Sequence, residues 1–332
     1  MATRNNSVAS EPCLSVVVIG YRMAKQLTNT LFTLSTKYQL GIGENDYEVV
    51  VIENESDDNL SAETVSSLPK NFQFYRRPND SVSPVSAIEF GVNRCRGRFL
   101  GLIIDGAQMI TPQVLKYTLM AFKISEDALV ALPGYHLGEV MQHEAADREV
   151  LLREQTKFLS ESNWQSNGYR LFEWACFSPG NKHGFLHPLM ESNVFFCLKE
   201  SFLAINGADH RFQYPGGGAI NLHLYRKLGL RRDTRLFLLP GEGTFHQYHA
   251  GVTTTDSADY EEKVTRFNKQ LQEIWKQDFK ALRREPTLFG TISQQAQPFL
   301  LKSCEMARTR FDRLQTLDRL LWEDDAVERL VD

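Results

Sequence analysis

Between Leu14 and about Leu132, the sequence alternates short apolar runs with longer amphipathic stretches, and this alternation constrains the fold most strongly. Runs that are apolar throughout suit strands buried on both faces, as in a parallel sheet covered by helices. Between the first two runs, leucines recur at helical spacing, which predicts a covering helix over residues 22 to 38. We therefore predict an α/β fold with a mostly parallel central sheet flanked by helices. The strand candidates are LSVVVIG (14 to 20), YEVVVIE (47 to 53), FQFYRR (72 to 77), RFLGLIID (98 to 105) and ALVALP (128 to 133).

The second half of the chain has a less regular pattern. An aromatic and glycine-rich segment precedes residue 190, and such long irregular segments in a compact domain are often binding loops. Thr111 and Pro112 predict the start of a helix, as an N-cap followed by proline at the first helical position. The other predicted elements are a helix at about 143 to 160, a strand and short helix within 193 to 207, a helix after the glycine loop within 215 to 229, a loop at 239 to 251, and a helical remainder with helices at 258 to 283 and about 297 to 322.

Composition limits the functional classes. The net charge of −4 and the pI near 6.1 exclude a broad nucleic-acid surface, which needs a clustered basic excess. Five scattered cysteines without a C-x-x-C pair suit a reducing cytoplasm, and we expect a cytoplasmic protein, with peripheral membrane association left open. No apolar run reaches the roughly 18 residues of a transmembrane segment. The C-terminal helices are expected to pack on the core or to form a homo-oligomer.

Polar residues follow three of the predicted strands at their carboxyl ends. They are Gly20-Tyr21-Arg22, Glu53-Asn54 and Asp105-Gly106. Ligands of open parallel sheets bind beyond the carboxyl ends of strands, near a topological switch point. A carboxylate after the second strand suits a base or ribose, and one after the fourth suits a ribose hydroxyl or a diphosphate-bound metal. Each residue on its own serves equally well as a helix cap or turn former.

The ordered series LSVVVIGYR, YEVVVIENES and GVNRCRGRFLGLIIDGAQMITP resembles the nucleotide-binding half of GT-A glycosyltransferases, particularly family 2. The resemblance covers about residues 14 to 230 and implies a Rossmann-like GT-A fold. It also implies that Gly20, Tyr21, Arg22, Glu53, Asn54, Asp105 and Gly106 bind the nucleotide of a sugar donor. The expected organisation is a disordered tail (1 to 12), a GT-A domain (13 to 252, divided at 133 into nucleotide-binding and acceptor halves) and a C-terminal helical extension (253 to 332).

Two positions depart from the family pattern. Ala107 replaces the second aspartate of the D-x-D motif, and an alanine methyl cannot bind a divalent cation. Gly218 and Ala219 stand where the family carries the acidic pair that contains its catalytic base. Inverting transfer still needs a group that deprotonates the acceptor hydroxyl. Asp209 and Glu242 are the candidates for that base, and the alternative for each is a structural turn or cap.

A downstream histidine frequently serves as a metal or diphosphate ligand in the family, which makes His246 and His249 candidates to complete a Mn²⁺ or Mg²⁺ site begun by Asp105. Aromatic or hydrogen-bonded packing in a loop is the alternative. Trp164 and Trp174 are candidates for stacking on an acceptor sugar, with core packing as the competing interpretation. Backbone N–H groups at Gly217 and Gly218 are candidates for binding an acceptor oxygen.

The resemblance implies a transferase that moves a sugar from a nucleoside diphosphate donor to a saccharide or lipid-linked saccharide acceptor, in surface polysaccharide synthesis. A second hypothesis is a catalytically inactive GT-A-like module that binds a saccharide or nucleotide, or that scaffolds a complex. A third is a nucleotidyltransferase, which would release pyrophosphate from a nucleoside triphosphate. Binding and product release distinguish the three.

Overall fold

The computed structural model describes residues 12–78, 81–249 and 257–323. The predicted disordered tail therefore lies outside the described residues, apart from Pro12. In chain order the strands are β1 (Leu14–Gly20), β2 (Tyr47–Asn54), β3 (Phe72–Arg77), β4 (Phe99–Ile103), β5 (Gln108–Ile110), β6 (Ala128–Ala131), β7 (Gly134–Leu137), β8 (Ala175–Phe177), β9 (Val194–Leu198), β10 (Arg235–Leu238), β11 (Thr244–His246) and β12 (Thr287–Leu288). The α-helices are α1 (Ala24–Thr33), α2 (Ala62–Ser66), α3 (Val85–Val92), α4 (Val114–Ile124), α5 (Arg148–Glu161), α6 (Lys199–Ala204), α7 (Ile220–Gly229), α8 (Ser257–Trp275) and α9 (Gln297–Gln315).

The central sheet has eight strands in the order β12-β10-β6-β9-β4-β1-β2-β3. Its pairs are parallel except the two made by β9, which runs antiparallel between β4 and β6. Every residue of β1, β2 and β4 is buried, as their apolar sequences predict. Apolar clusters pack on both faces of the sheet. The predicted α/β class with a mostly parallel, helix-flanked sheet is confirmed.

The chain leaves β1 for β2 and β3 on one side and returns to β4 on the other, so the strand order reverses at β1. A crevice forms at such a reversal because the connections from neighbouring strands diverge to opposite sides. The carboxyl ends of β1 and β4 therefore border the same opening. The topology places Tyr21 and Asp105 at that opening, as the strand-end argument predicts.

A second, four-stranded sheet has the order β5-β11-β7-β8. Its strand β11 lies within residues 239 to 251, where the prediction of a loop is wrong. Three residues are too few to show a strand period, and the strand exists because β11 pairs with β5 and β7 from distant parts of the chain. In this pairing His246 lies opposite Gln108, three residues after Asp105.

Several predicted helix boundaries are also wrong. The first covering helix spans Ala24–Thr33 instead of residues 22 to 38. Helix α4 begins at Val114, two residues after Pro112. Thr111 is not its N-cap, because its hydroxyl accepts a hydrogen bond from the backbone N–H of Gly243 (2.9 Å) instead. The Thr111 hydroxyl is thus used in a tertiary contact with the segment before β11 and not in capping the helix.

The C-terminal region is not entirely helical as predicted. Helices α8 and α9 are present, but α8 ends at Trp275, and β12 joins the edge of the central sheet through parallel pairing with β10. Gly229 and Leu282 are in close contact, which leaves no room for a side chain at position 229. In the part of the chain that the structure describes, no helix combines the length and apolarity needed to cross a membrane.

Candidate active site

A cavity of about 740 Å³ opens beyond the carboxyl ends of β1, β2 and β4. Its walls come from widely separated parts of the chain. They include Tyr21, Arg22, Asn54, Asp105, His136, Glu191, Asn193, Gly216, Gly218, Asn221, His246 and His249, together with Tyr260, Lys263, Val264 and Phe267 of α8. The strand-end positions and the C-terminal half of the chain therefore share one site.

Asp105, His246 and His249 meet on the wall of this cavity. One carboxylate oxygen of Asp105, Oδ2, lies 3.0 Å from Nε2 of His246 and 3.4 Å from Nε2 of His249. The other, Oδ1, accepts a hydrogen bond from the backbone N–H of Ala107 (3.0 Å). The three side chains place an oxygen and two nitrogens within 4.8 Å of one another, as a set of ligands for one metal ion requires.

The tautomer of His246 follows from its contacts with Gln142, a fully buried residue. The Gln142 amide nitrogen donates to the backbone oxygen of His246 (2.8 Å), so its oxygen is left to accept the Nδ1 proton of the same residue (2.7 Å). In the neutral imidazole, Nε2 then carries a lone pair directed at the Asp105 carboxylate. Two acceptors this close need a cation between them, either a proton or a metal ion.

The electrostatics of the cluster favour a bound cation. Burial works against ionisation of Asp105, but His249 and His246 outweigh it and hold the carboxyl pKa well below its ordinary value. Burial likewise disfavours the imidazolium of His249, but the Asp105 carboxylate raises the His249 pKa above the ordinary value. The low pKa of Asp105 therefore depends on positive charge at the neighbouring imidazoles, which either a proton or a metal ion can supply.

Ala107 is buried among apolar side chains and does not face the cavity. Its carbonyl oxygen accepts hydrogen bonds from the backbone and side chain of Gln247 (3.0 and 3.2 Å). This contact holds the β11 segment against the Asp105 turn. Where the family motif would supply a second aspartate, this chain brings two histidines from β11 and the residues after it.

The nucleotide-side candidates fall into two groups. Tyr21, Arg22 and Asn54 line the cavity, and Arg22 forms an ion pair with Asp57 (2.8 Å) on its rim. The side-chain oxygen of Asn54 is buried and accepts no hydrogen bond from a described residue. Glu53 is engaged within the protein, because its carboxylate accepts hydrogen bonds from the backbone N–H of Leu60 (2.7 Å) and the guanidinium of Arg76 (2.8 Å).

The predicted glycines allow close packing near the site. A side chain at Gly20 would lie 2.6 Å from Leu27, and one at Gly106 would lie 2.9 Å from the carbonyl oxygen of Ile19. Gly218 lines the cavity and has a positive φ of 58°. Gly217 also has a positive φ but is buried beneath that wall.

The structure brings neither predicted base to the cavity wall. Asp209 is paired with Arg211 (2.6 Å), whose hydrogen bonds lower the Asp209 pKa to about 2. Glu242 is fully buried and accepts hydrogen bonds from the Tyr169 hydroxyl (2.7 Å) and the backbone N–H of Gln113 (3.2 Å). Burial raises the Glu242 pKa to about 7. Neither carboxylate lines the cavity.

The two predicted acceptor-stacking tryptophans lie away from the cavity. Trp164 is buried edge-on against Phe32, with ring centroids 5.5 Å apart, and its indole N–H donates to the Leu159 carbonyl (3.0 Å). Trp174 is partly buried and packs at a tilt on Phe158.

Two residues of the site, Gln142 and Glu191, were not predicted from the sequence, since neither belongs to a recognisable local pattern.

Comparisons with known proteins give distant structural similarities. No protein-family model matches the chain, and no curated protein matches it. The mannosyltransferase PcManGT from Pyrobaculum calidifontis in complex with GDP-Man and Mn²⁺ is 11% identical, with a TM-score of 0.49 over 90% of this chain and 70% of that one. S. aureus TarS 1–349 in complex with UDP-GlcNAc is 14% identical, with a TM-score of 0.48 over 78% and 66%, respectively. S. aureus TarS 1–349 in complex with UDP is 12% identical, with a TM-score of 0.46 over 78% of this chain and 65% of that one. Similarity at this level assigns no activity.

Proposed function

We propose that this protein is a glycosyltransferase that uses a nucleoside diphosphate sugar. The observation that carries the proposal is the Asp105, His246 and His249 cluster, which lies in a cavity at the switch point of a mostly parallel sheet. An anionic ligand set at this location suits a metal ion that binds a diphosphate. The family resemblance of the strand-end motifs suggests the same class of donor.

The cluster fits Mn²⁺ better than Mg²⁺. Mg²⁺ prefers an octahedral set of oxygens, whereas imidazole nitrogen suits softer divalent ions, and one carboxylate with two imidazoles is a mixed set. Bound Mn²⁺ would neutralise charge that develops on the leaving diphosphate. Gln142 keeps the Nε2 lone pair of His246 directed at the site, and Asn54 lines the cavity at the end of β2, where we propose that it contacts the nucleoside.

For the acceptor, we propose a saccharide or lipid-linked saccharide, with inversion at the sugar carbon. The cavity wall carries both polar and apolar groups. Asn193 and Asn221 are joined by a hydrogen bond (3.1 Å), and Val264 and Phe267 of α8 lie on the same cavity. Amides and aromatic rings are the groups that bind sugar hydroxyls and sugar faces. The resemblance also suggests polysaccharide synthesis as the setting.

Titration calorimetry with UDP-, GDP- and dTDP-sugars, with and without Mn²⁺, tests donor binding. We expect at least one donor to bind in a Mn²⁺-dependent manner and to release its nucleoside diphosphate on incubation with an acceptor panel. The Asp105→Asn variant should lose Mn²⁺-dependent binding, because it keeps the side-chain size and removes the charge. Glu126→Gln removes an exposed carboxylate that is paired with Arg98, outside the cavity, and serves as the control. Failure of every donor to bind would refute the proposal.

The inactive-module hypothesis is favoured by one observation, namely that the predicted bases Asp209 and Glu242 do not line the cavity. This hypothesis predicts donor binding without release of nucleoside diphosphate under any acceptor condition. The two hypotheses therefore separate on product release and not on affinity.

A further inference from the structure

Glu191 lies at the same edge of the sheet as Asp105. Strand β9 runs antiparallel to β4, and Val194 at its start pairs with Ile103 at the end of β4. Asp105 follows Ile103 by two residues and Glu191 precedes Val194 by three, so both extend past the same end of two adjacent strands. Adjacent strands are about 4.8 Å apart. Both side chains line the cavity.

The segment that carries Glu191 is fixed on both sides. The backbone N–H of Met190 donates to the Gly180 carbonyl (3.2 Å), and the Ser192 hydroxyl donates to the Val194 carbonyl (2.7 Å) and accepts from the Leu132 N–H (3.0 Å). The side chain of Glu191 lies over Gly180. A Cβ added at Gly180 would be 2.9 Å from Cγ and from Oε1 of Glu191. The position of the carboxylate is therefore determined by the fold.

The Glu191 carboxylate differs from the other acids of the cavity. Asp57 is paired with Arg22, Asp58 accepts from the backbone N–H of Ala24 (3.2 Å), and Asp105 contacts the two histidines. Glu191 accepts no hydrogen bond and forms no ion pair with a described residue. An unengaged carboxylate in a largely buried position is available to a ligand hydroxyl.

Other polar groups share the cavity with Glu191. Asn221, on the same cavity, donates to Asn193 through its amide nitrogen, while its side-chain oxygen is buried and accepts no hydrogen bond from a described residue. Burial raises the pKa of Glu191 to about 7, so half of the carboxyl groups are ionised near neutral pH. A general base is most effective when its pKa lies near the working pH. Other titratable groups on this cavity are Tyr260 and Lys263 of α8 and His136 of β7.

We propose that Glu191 is the general base of the transfer reaction. This proposal rests on the glycosyltransferase function proposed above. The carboxylate removes the proton of the acceptor hydroxyl while that oxygen forms a bond to the anomeric carbon of the donor sugar. The bond from that carbon to the β-phosphate oxygen breaks, and its electron pair leaves on the nucleoside diphosphate. The proton then passes from Glu191 to water at the open mouth of the cavity.

The test compares Glu191→Gln and Glu191→Asp with the wild type, using the donor and acceptor pair that gives the highest wild-type turnover. We expect Glu191→Gln to lower turnover by about 10² to 10⁴-fold, the usual contribution of general base catalysis, with the dissociation constant of nucleoside diphosphate and Mn²⁺ within about twofold of the wild type. Glu191→Asp should retain intermediate turnover. Glu144→Gln is the matched control, because Glu144, like Glu191, raises the pKa of Tyr260 but does not line the cavity.

Infrared titration of the Glu191 carboxyl, taken as the difference between wild type and Glu191→Gln, gives a readout independent of turnover. The expected midpoint is near pH 7, and an ordinary value near 4.5 would overturn the proposal. Wild-type turnover in the Glu191→Gln variant would overturn the role of Glu191 alone. If the wild type released no nucleoside diphosphate from any donor, the transferase function and the base would both be rejected.

Discussion

The buried glutamine behind the metal-ligand cluster provides the sharpest test of the site. In the Gln142→Met variant, the side-chain volume is nearly kept, but the Nδ1 proton and the backbone oxygen of His246 both lose their hydrogen-bond partner. The imidazole is then free to change tautomer and to place a proton on Nε2, the atom that faces Asp105. We therefore expect weaker Mn²⁺ binding although none of the three ligands has changed.

The expected magnitudes follow from the two lost hydrogen bonds. Removing a partner that orients a metal-bound histidine typically costs about 10 to 100-fold in metal affinity, which is about 1.4 to 2.7 kcal/mol. Each buried group that is left unpaired also costs about 1 to 3 kcal/mol, so the free energy of unfolding should fall by about 2 to 6 kcal/mol. The two effects are measured separately, by electron paramagnetic resonance of free Mn²⁺ and by urea unfolding.

Gln39→Met is the matched control. Gln39 is a buried glutamine whose amide donates to the carbonyl oxygens of Thr33 and Thr111 (2.8 and 2.9 Å) and accepts from the Leu115 N–H (3.2 Å), with no contact to either histidine. This variant should lose a similar amount of stability and keep the wild-type Mn²⁺ affinity. If folded Gln142→Met bound Mn²⁺ as tightly as the wild type, the tautomer argument would be refuted.

Three further predictions concern residues outside the ligand cluster. The pKa of Glu242 is about 7 in the folded protein against an ordinary 4.5, so the protonated carboxyl stabilises the folded state. This contribution of about 3 kcal/mol is complete below pH 4.5 and is lost as the pH rises through 7. The Glu242→Gln variant, which keeps an acceptor for Tyr169, should lose less stability than the wild type between pH 5 and 8.5, as measured by urea unfolding; equal losses would contradict this. Trp164→Ala should lower the free energy of unfolding by about 3 to 5 kcal/mol and leave donor affinity unchanged, because the ring is buried in the core; a selective loss of acceptor binding would instead support the stacking interpretation. Wild-type turnover should fall about tenfold per pH unit below pH 7 if Glu191 must be ionised, and Glu191→Gln should lack this dependence.

The middle of the central sheet was predictable because β1, β2 and β4 are almost entirely apolar, and a strand buried on both faces is recognisable from its composition alone. β3 also occurs at the predicted residues, although this edge strand is only partly buried. β11 and β12 were not predictable, because each has two or three residues and depends on pairing with distant strands. Helix α4 begins two residues after the predicted start at Pro112 for a similar reason, because the hydroxyl of Thr111, its expected N-cap, is used in a tertiary contact.

The site was partly predictable. Asp105 follows a recognisable strand, but its meeting with His246 joins residues 141 positions apart and requires the β5 and β11 pairing. Asp209 and Glu53 have the residue types of a site, yet a neighbouring arginine or backbone N–H engages each carboxylate inside the protein. Whether a carboxylate is engaged or open depends on its neighbours in space, and a linear sequence does not show them.

The position of α8 determines where the chain can be truncated without removing part of the cavity wall. Tyr260, Val264 and Phe267 belong to the cavity wall, although they follow the predicted domain boundary at residue 252. A truncated protein that ends at this boundary would keep all three metal-ligand candidates but would expose the apolar side of the site to water. It would also lack the edge strand β12. Such a fragment is therefore a poor substitute for the full chain in binding and activity assays, and deletion variants should keep residues up to at least 288.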